Sequence, residues 1–416
     1  VSHSNDGSGV VARPDPEAEK LYFQLMMSTG DDPFPDYARL RETAPALLTS
    51  DGSTLVLSRH EDCDAALRNR SFGKSDEWLR LHVNSVPEEQ LRPVMERMQR
   101  SMILANPPDH TRLRKLVSFA FTARHVEALR PTITERTDQF LDELADTPDG
   151  NFMQILAMPL PVHVISDLLG VPVADRDAIA PHIHDMGLLI EPAAGPDDIV
   201  LGAKAENSLG DYFTELLADK RANPRDDMLT RMTQPANGDK LSEVETVATA
   251  ILLFAGGNKP TANMLGNGLQ ALFDTPEQLE LLRTDRSLIP SAVEEMLRYD
   301  APAHVDVISV IEPCTYLDAE LVKGQVVISL LGAANRDPER FSDPDTFDIA
   351  RADNRHLSFG GGLHYCLGGP LARLEGEIFL NRLFDRFSGI TPAGTPKRAP
   401  GLGHHGFEEL PVNLVR

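Results

Sequence analysis

Cys366 lies in HLSFGGGLHYCLGGPLARLEGEIFL, residues 356–380, among five glycines: Gly360, Gly361, Gly362, Gly368 and Gly369. A helical pattern begins at or just after it. Glycine permits positive φ and lets backbone approach a flat ligand closely. A cysteine at a helix N-terminus has its thiolate favoured by free N–H groups and by the helix dipole. That is the chemistry of a soft metal ligand kept from protons and oxidants. Composition alone is met equally well by a glycine-rich loop ending in a buried cysteine. Cys63, in RHEDCDAALRN, reads as a small core residue, and Cys314, in IEPCTYLD, as a turn or strand-edge residue. Three cysteines this far apart give neither a disulfide framework nor zinc spacing, and suit a reducing compartment.

Three other groups have spacing that chemistry would use. Glu295 and Arg298 share one helix face at i, i+3, as an ordinary surface pair also would. His110 and Arg114, in DHTRLRKLV (109–117), are cationic donors on one face, suited to carboxylates or to a plain solvated surface. The third group interrupts LSEVETVATAILLFAGGNKPTANMLGNGLQALF (241–273). Ser242-x-x-Glu245 reads there as a capping box opening a long apolar helix. Lys259, Pro260 and Thr261 then follow: proline removes a backbone donor and kinks the helix. An unpaired lysine is costly to bury, so Lys259 must find solvent, a salt bridge or an anion.

Read in order, Phe359-Gly360-x-Gly362-x-His364-x-Cys366-x-Gly368 resembles, without a gap, the haem-ligand loop of the cytochrome P450 family. Glu295-x-x-Arg298, NRDPERF (335–341) and DHTRLRKLV occur in the family's order, over roughly residues 100–380. The resemblance implies haem b, with Cys366 as axial ligand of its iron. It implies Phe359 near the thiolate, and His110, Arg114 and His364 on the propionates. The family's third partner of Glu-x-x-Arg is a later arginine. PDTF places Thr346 there, leaving Arg351 as the candidate substitute.

Two further departures stand out. The family's central helix carries small-Gly-x-acid-Thr, which relays protons to dioxygen. Aligned on Gly257 and Asn263, Lys259 replaces the acid and Pro260 the threonine, with Thr261 one position late. Aligned on Ala255 and Gly256, Asn258 and Lys259 take those places. Neither restores the pair, so Lys259, Pro260 and Thr261 form an altered oxygen-activation segment. Peroxide-using fatty-acid members carry a basic residue then proline here, and the base holds the substrate carboxylate. Lys259 therefore either turns to solvent or a salt bridge, or pairs with an anionic substrate group. On the strand after Pro302, Ile308 stands where the family has an arginine toward a propionate, with His304 the nearest compensating candidate.

The elements that must position these residues are mainly α, with small β-sheets. The expected architecture is the cytochrome P450 fold, haem lying between the central long helix and the cysteine-loop helix. Strands are expected at 53–58, 306–311 and 325–331. Residues 1–15 are expected to be disordered and 16–416 to form one domain. By resemblance the substrate pocket draws on the loop 77–107, the segment 180–200, the central helix, the strand after Pro302 and the tail loop Gly401–Phe407. It is expected to be largely apolar.

With 41% hydrophobic and 25% charged residues the composition is that of a soluble globular protein. No apolar run reaches the roughly 18 residues of a membrane span. The N-terminus lacks the basic start and apolar stretch of a secretory signal, so a cytoplasmic location is expected. A net charge of −23 argues against general nucleic-acid binding. No flavin or iron–sulfur segment is recognisable. Electrons are expected from ferredoxin and ferredoxin reductase, with NAD(P)H acting only through them. Arg112, Lys115 and Arg373 make a candidate basic patch for an acidic ferredoxin, although ordinary surface charge explains them equally.

The function expected is a haem-thiolate monooxygenase, acting as a monomer on a small, largely apolar molecule of secondary metabolism such as antibiotic biosynthesis. One alternative is a peroxide-driven, coupling or rearranging enzyme with Lys259 on an anionic substrate group. Another is a non-catalytic haem-binding partner protein, which the intact Cys366 loop disfavours.

Overall fold

The apolar run after Ser242 folds as two helices, Glu243–Gly256 and Asn258–Asp274, in a computed structural model that describes residues 10–27, 32–76, 79, 83, 86–191, 194–235 and 238–415. The capping box forms: Ser242 Oγ accepts from Glu245 N, and the Glu245 carboxylate accepts from Ser242 N at 2.8 Å. The expected kink is a complete break at Gly257. Pro260 has no N–H, so the Gly256 carbonyl loses its helical donor. Proline costs least in a first turn, which is where the restarted helix places it. The Asn258 side-chain amide compensates in part by donating to Phe254 O.

These helices pack with Pro159–Leu169, Ile289–Tyr299 and the cysteine-loop helix Gly369–Arg386. Phe254, Leu265, Leu269, Val293, Met296 and Phe379 are buried in the largest apolar cluster. A five-stranded sheet covers one side, in the order Ala46–Leu48, Thr54–Leu57, Val326–Leu330, Val305–Val310, Phe72–Gly73. Thr54–Leu57 and Val326–Leu330 run parallel; the other pairs are antiparallel. The three strands read from sequence thus form within a residue or two of their expected bounds. No described helix is long and apolar enough to cross a membrane.

Order begins earlier than expected at the N-terminus. Ala12 N donates to Leu317 O at 2.8 Å, and Leu48 N to Arg13 O at 3.1 Å. Asp15 then caps the helix Pro16–Met26, accepting from Glu17 N and Ala18 N. An edge strand with free backbone groups holds this segment. The disorder expected for 1–15 therefore does not extend to 10–15; residues 1–9 lie outside the described set.

The helix Ile289–Tyr299 buries Glu295 and Arg298 completely, both at 0% exposure. Arg298 grips the carboxylate through Nε (2.8 Å) and Nη2 (2.7 Å), and donates from Nη1 to Asn335 O and Pro344 O. Arg351 Nε reaches both Glu295 oxygens at 3.3 and 3.2 Å, so it occupies the third place. Thr346 contributes only its carbonyl, accepting from both arginines. Asn335 carries the network onward: its Oδ1 accepts from Leu357 N, and its amide donates to Ser358 Oγ.

Removing one partner of a buried pair leaves a charge without compensation, at a cost of about 3–5 kcal/mol. Arg298→Met is expected to lower the urea-unfolding free energy by that order. Lys115→Met, an exposed substitution on the helix Asp109–Val117, should change it by less than about 0.5 kcal/mol.

Candidate functional site

The loop before Cys366 needs glycine at two positions. Gly360 and Gly362 have φ of +66° and +59°, and a Cβ at 362 would lie 2.2 Å from Leu67 O. That contact seats the loop against the helix His60–Arg68. Cys366 N then donates to Phe359 O at 2.9 Å, closing the loop below the start of Gly369–Arg386. Burial pushes the Cys366 thiol up, opposed by the N–H groups of Gly368 and Gly369 and the charges of Arg114 and Arg373. A cation bound at the sulfur would reverse the dominant effect.

Cys366 lines a cavity of about 1080 Å³. Phe359, Leu371 and Ala372 lie on the same wall; Leu252, Leu253, Gly256, Gly257 and Thr261 come from the broken helix. Spacings of three, four and eight residues from Leu253 keep one helix face on the cavity. Lys259 and Pro260 fall off that face and do not line it. Lys259 is set instead among Glu191, Glu408 and His404. Burial lowers its pKa against the pull of the two carboxylates, while burial and then the Lys259 charge push His404 down to about 3. The pull of Glu191 and Glu408 favours the alternative in which protein carboxylates answer the Lys259 charge. Of the altered segment, only Thr261 faces the cavity.

Lys74, His110, Arg114 and His364 also line the cavity. The rings of His110 and His364 are 4.2 Å apart between centroids. Both ring nitrogens of His110 and Nε2 of His364 are buried without a hydrogen-bond partner among the described residues. Burial, then Arg114, lowers the His110 pKa. Burial, then Lys74, His110 and Arg114, takes His364 down to about 3. Arg114 has a second task, bracing the cysteine loop at Leu363 O (2.9 Å) and Tyr365 O (2.7 Å).

Lys74 was not singled out by sequence. Its Nζ contacts Asp306 Oδ1 at 2.5 Å and Val307 O at 2.8 Å. It follows the strand Phe72–Gly73, which pairs with the strand carrying Ile308, and so brings a cation to where Ile308 has none. His304, the earlier candidate for that compensation, is turned away from the cavity toward Tyr37 and Asp300. A thiol on one wall and a rim of unpartnered imidazoles with two cations fit a metal-bearing group with two carboxylates, as haem is.

Glu375 is a further residue that sequence reading missed. It lines the cavity from Gly369–Arg386, is buried, and has an Oε2 without a partner among the described residues. Burial raises its pKa to about 8. The signal was present: Leu371, Leu374, Glu375 and Ile378 share one face, with a carboxyl among apolar neighbours.

Among the described residues, two segments expected in the pocket do not line this cavity. Among described residues of 180–200, Leu189 packs with Leu79, Val83, Leu91 and Val94 in a separate cluster. The tail loop places Phe407 against Arg398. From the loop 77–107, Met102, Ile103, Asn106 and Pro107 line the cavity; residues 77, 78, 80–82, 84 and 85 lie outside the described set. The candidate basic patch is also largely neutralised. Arg112 pairs with Glu245 and Arg373 with Glu294, leaving Lys115 exposed.

A family model described as Cytochrome P450 matches residues 204–407. Cytochrome P450 107B1 of Saccharopolyspora erythraea is 39% identical over 388 residues, covering 90% of this chain and 93% of its own. Cytochrome P450 monooxygenase PikC of Streptomyces venezuelae is 37% identical, covering 92% of each chain. The solved structure of the bacillaene polyketide synthase cytochrome P450 PksS, from Bacillus subtilis 168, superposes with a TM-score of 0.82 at 34% identity. It covers 92% of this chain and 97% of that one.

The raised pKa of Glu375 gives a signed expectation. Its folded value of about 8 lies above the ordinary carboxyl value of about 4.3, so between them the folded state holds a proton that the unfolded state has released. The stabilising contribution is full below about pH 4 and is lost as pH rises toward 8. Relative to wild type, Glu375→Gln should gain roughly 1 kcal/mol per pH unit across that window in urea titrations. A pH-independent difference would show that Glu375 is not buried as a neutral acid.

Proposed function

Because this chain belongs to the cytochrome P450 family and is a monooxygenase of that family, we propose that Cys366 ligates the iron of haem b in the 1080 Å³ cavity and that the enzyme oxidises a small, largely apolar molecule. The observation that carries this reading is convergence. The Cys366 loop, the rim of Lys74, His110, Arg114 and His364, and the broken helix bearing Thr261 all line one cavity.

When bound, a thiolate-ligated haem supplies oxygen activation, the sulfur pushing electron density toward O–O cleavage. The N–H groups of Gly368 and Gly369 stabilise the Cys366 thiolate. The rim residues take the propionates, and Phe359 shields the sulfur's side of the cavity. Thr261 presents a hydroxyl from the broken helix. Glu375, its pKa raised by burial, adds a protonated carboxyl to the wall on the Cys366 side. Electrons come from a ferredoxin and its reductase. Substrates of secondary metabolism are supported by likeness to PksS, named for a polyketide synthase.

The carbon monoxide difference spectrum of the reduced protein tests the ligand. Wild type should show the thiolate-type Soret band and Cys366→Ser should lack it. A wild-type protein without that band ends this reading. Turnover with ferredoxin, reductase and NAD(P)H, compared with hydrogen peroxide alone, then identifies the oxidant; activity from peroxide alone would replace the ferredoxin route.

The two residues of the altered segment should separate cleanly. Thr261→Ala is expected to lower product formed per NAD(P)H consumed by roughly tenfold or more. Lys259→Ala should leave both that ratio and the substrate-induced spectral shift unchanged.

A further inference from the structure

The helix Ile289–Tyr299 ends at Asp300, and the chain passes Pro302 and His304 before entering the strand Val305–Val310. The tail loop brings His405 to the same place, its N–H donating to Pro302 O at 3.0 Å. Asp300, His304 and His405 are all buried, and one ligand atom from each lies within 4.8 Å of the others. The Nε2 atoms of His304 and His405 each stand 3.5 Å from Asp300 Oδ1. That exceeds the usual N–H···O range. It is close to the edge of a tetrahedron, roughly 3.3–3.4 Å for metal–ligand bonds of about 2.0–2.1 Å. Asp300 Oδ1 and His304 Nε2 have no shorter polar contact than these among the described residues, and His405 is otherwise within reach only of the Gly401 backbone.

The remaining atoms are engaged in ways that aim these three. His304 Nδ1 meets Tyr37 Oη at 3.1 Å, which fixes the ring and leaves Nε2 free. Arg398 donates to Asp300 Oδ2 at 2.8 Å and to Asn267 Oδ1 at 3.1 Å. Asn267 in turn donates to Asp300 O and His405 O, both at 3.1 Å. Such supporting contacts are what orients metal ligands.

We propose that Asp300, His304 and His405 bind one divalent transition-metal ion of the zinc class, at a site separate from the Cys366 cavity. Two imidazoles and one carboxylate suit zinc better than calcium or magnesium, which take oxygen donors. Burial lowers both imidazole pKa values against the pull of the Asp300 carboxylate, His405 to about 3. Burial opposes ionisation of Asp300, but Arg398, His405 and His304 hold its pKa well below the usual range. Arg398 and Arg336 add positive charge nearby, so the site is weaker than one with a second carboxylate. A bound ion would cross-link the helix end, the strand approach and the tail loop. Ala303 and Val305, on either side of His304, line the cavity, so the link would stiffen that wall.

Tag-free holoenzyme, treated with chelator and dialysed, is titrated with Zn²⁺ against a chromophoric competitor, with metal and haem iron counted by mass spectrometry. One zinc per haem iron and a higher thermal midpoint are expected. His405→Gln keeps a polar side chain of similar length, and should lose both effects while keeping the carbon monoxide spectrum. The proposal falls if wild type takes up no zinc above the buffer blank, or if both His304→Gln and His405→Gln retain binding and thermal shift. Should the variants not accumulate, zinc X-ray absorption on wild type decides. Two nitrogens and one oxygen from protein at about 2.0–2.1 Å support the site, and all-oxygen coordination overturns it.

Discussion

A buried carboxylate, Glu295, held by the fully buried Arg298 and the mostly buried Arg351, fixes the cysteine loop in place. One carboxylate buried with two guanidiniums is stable only if nearly every donor is used. Here Arg298 and Arg351 direct surplus donors to the carbonyls of Asn335, Ser342, Pro344 and Thr346. Those carbonyls belong to the irregular chain between the sheet and the cysteine loop, where no ladder would satisfy them. Asn335 passes the constraint to Leu357 and Ser358, and Ser358 Oγ donates to Leu297 O on the same helix as Arg298. The loop that presents Cys366 is therefore tied at its beginning to a charge cluster and at its end to a helix N-terminus. A shift of the helix Ile289–Tyr299 would have to move all of these together.

The opposite wall depends on a break. An uninterrupted helix would pair the Gly256 carbonyl and continue its apolar packing. Gly257 and Pro260 end one helix and start another, leaving backbone of both glycines on the cavity. The same geometry explains why a lysine is tolerated beside the site. Lys259 lies on the face turned toward Glu191 and Glu408, whose charges oppose the cost of its burial.

Much of the site was legible because its residues are local in sequence or fixed in order. The Cys366 loop, the capping box at Ser242 and the Glu295–Arg298 pair each declare themselves within a few positions. Arg351 was reachable as a candidate through the family's later arginine, the third partner of Glu-x-x-Arg, for which PDTF left no arginine. Lys74 was not, because its role depends on Phe72–Gly73 pairing with the strand of Ile308, more than 200 residues away in the chain. His304 failed for a related reason: it lies in the approach to the strand Val305–Val310, where only the tertiary partners Tyr37 and Asp300 show which way its ring turns. The segments 180–200 and 401–407 were placed on the pocket by resemblance, and their apolar content is met just as well by packing against other elements.

The acidity of the chain makes the cavity more informative than its residue types alone. At a net charge of −23, a site binding a dicarboxylic group must build its own positive field. Lys74 and Arg114 bring fixed charge, while His110 and His364 bring nitrogens that burial keeps neutral. An arriving carboxylate would favour their protonation, so the rim gains charge as it is occupied. Asp306, paired to Lys74, tempers the field beforehand and limits the repulsion among four basic groups packed around one opening. In the proposed haem site, a lysine from the neighbouring strand's end would stand in for the strand arginine missing at Ile308, balanced by a carboxylate on the strand it pairs with.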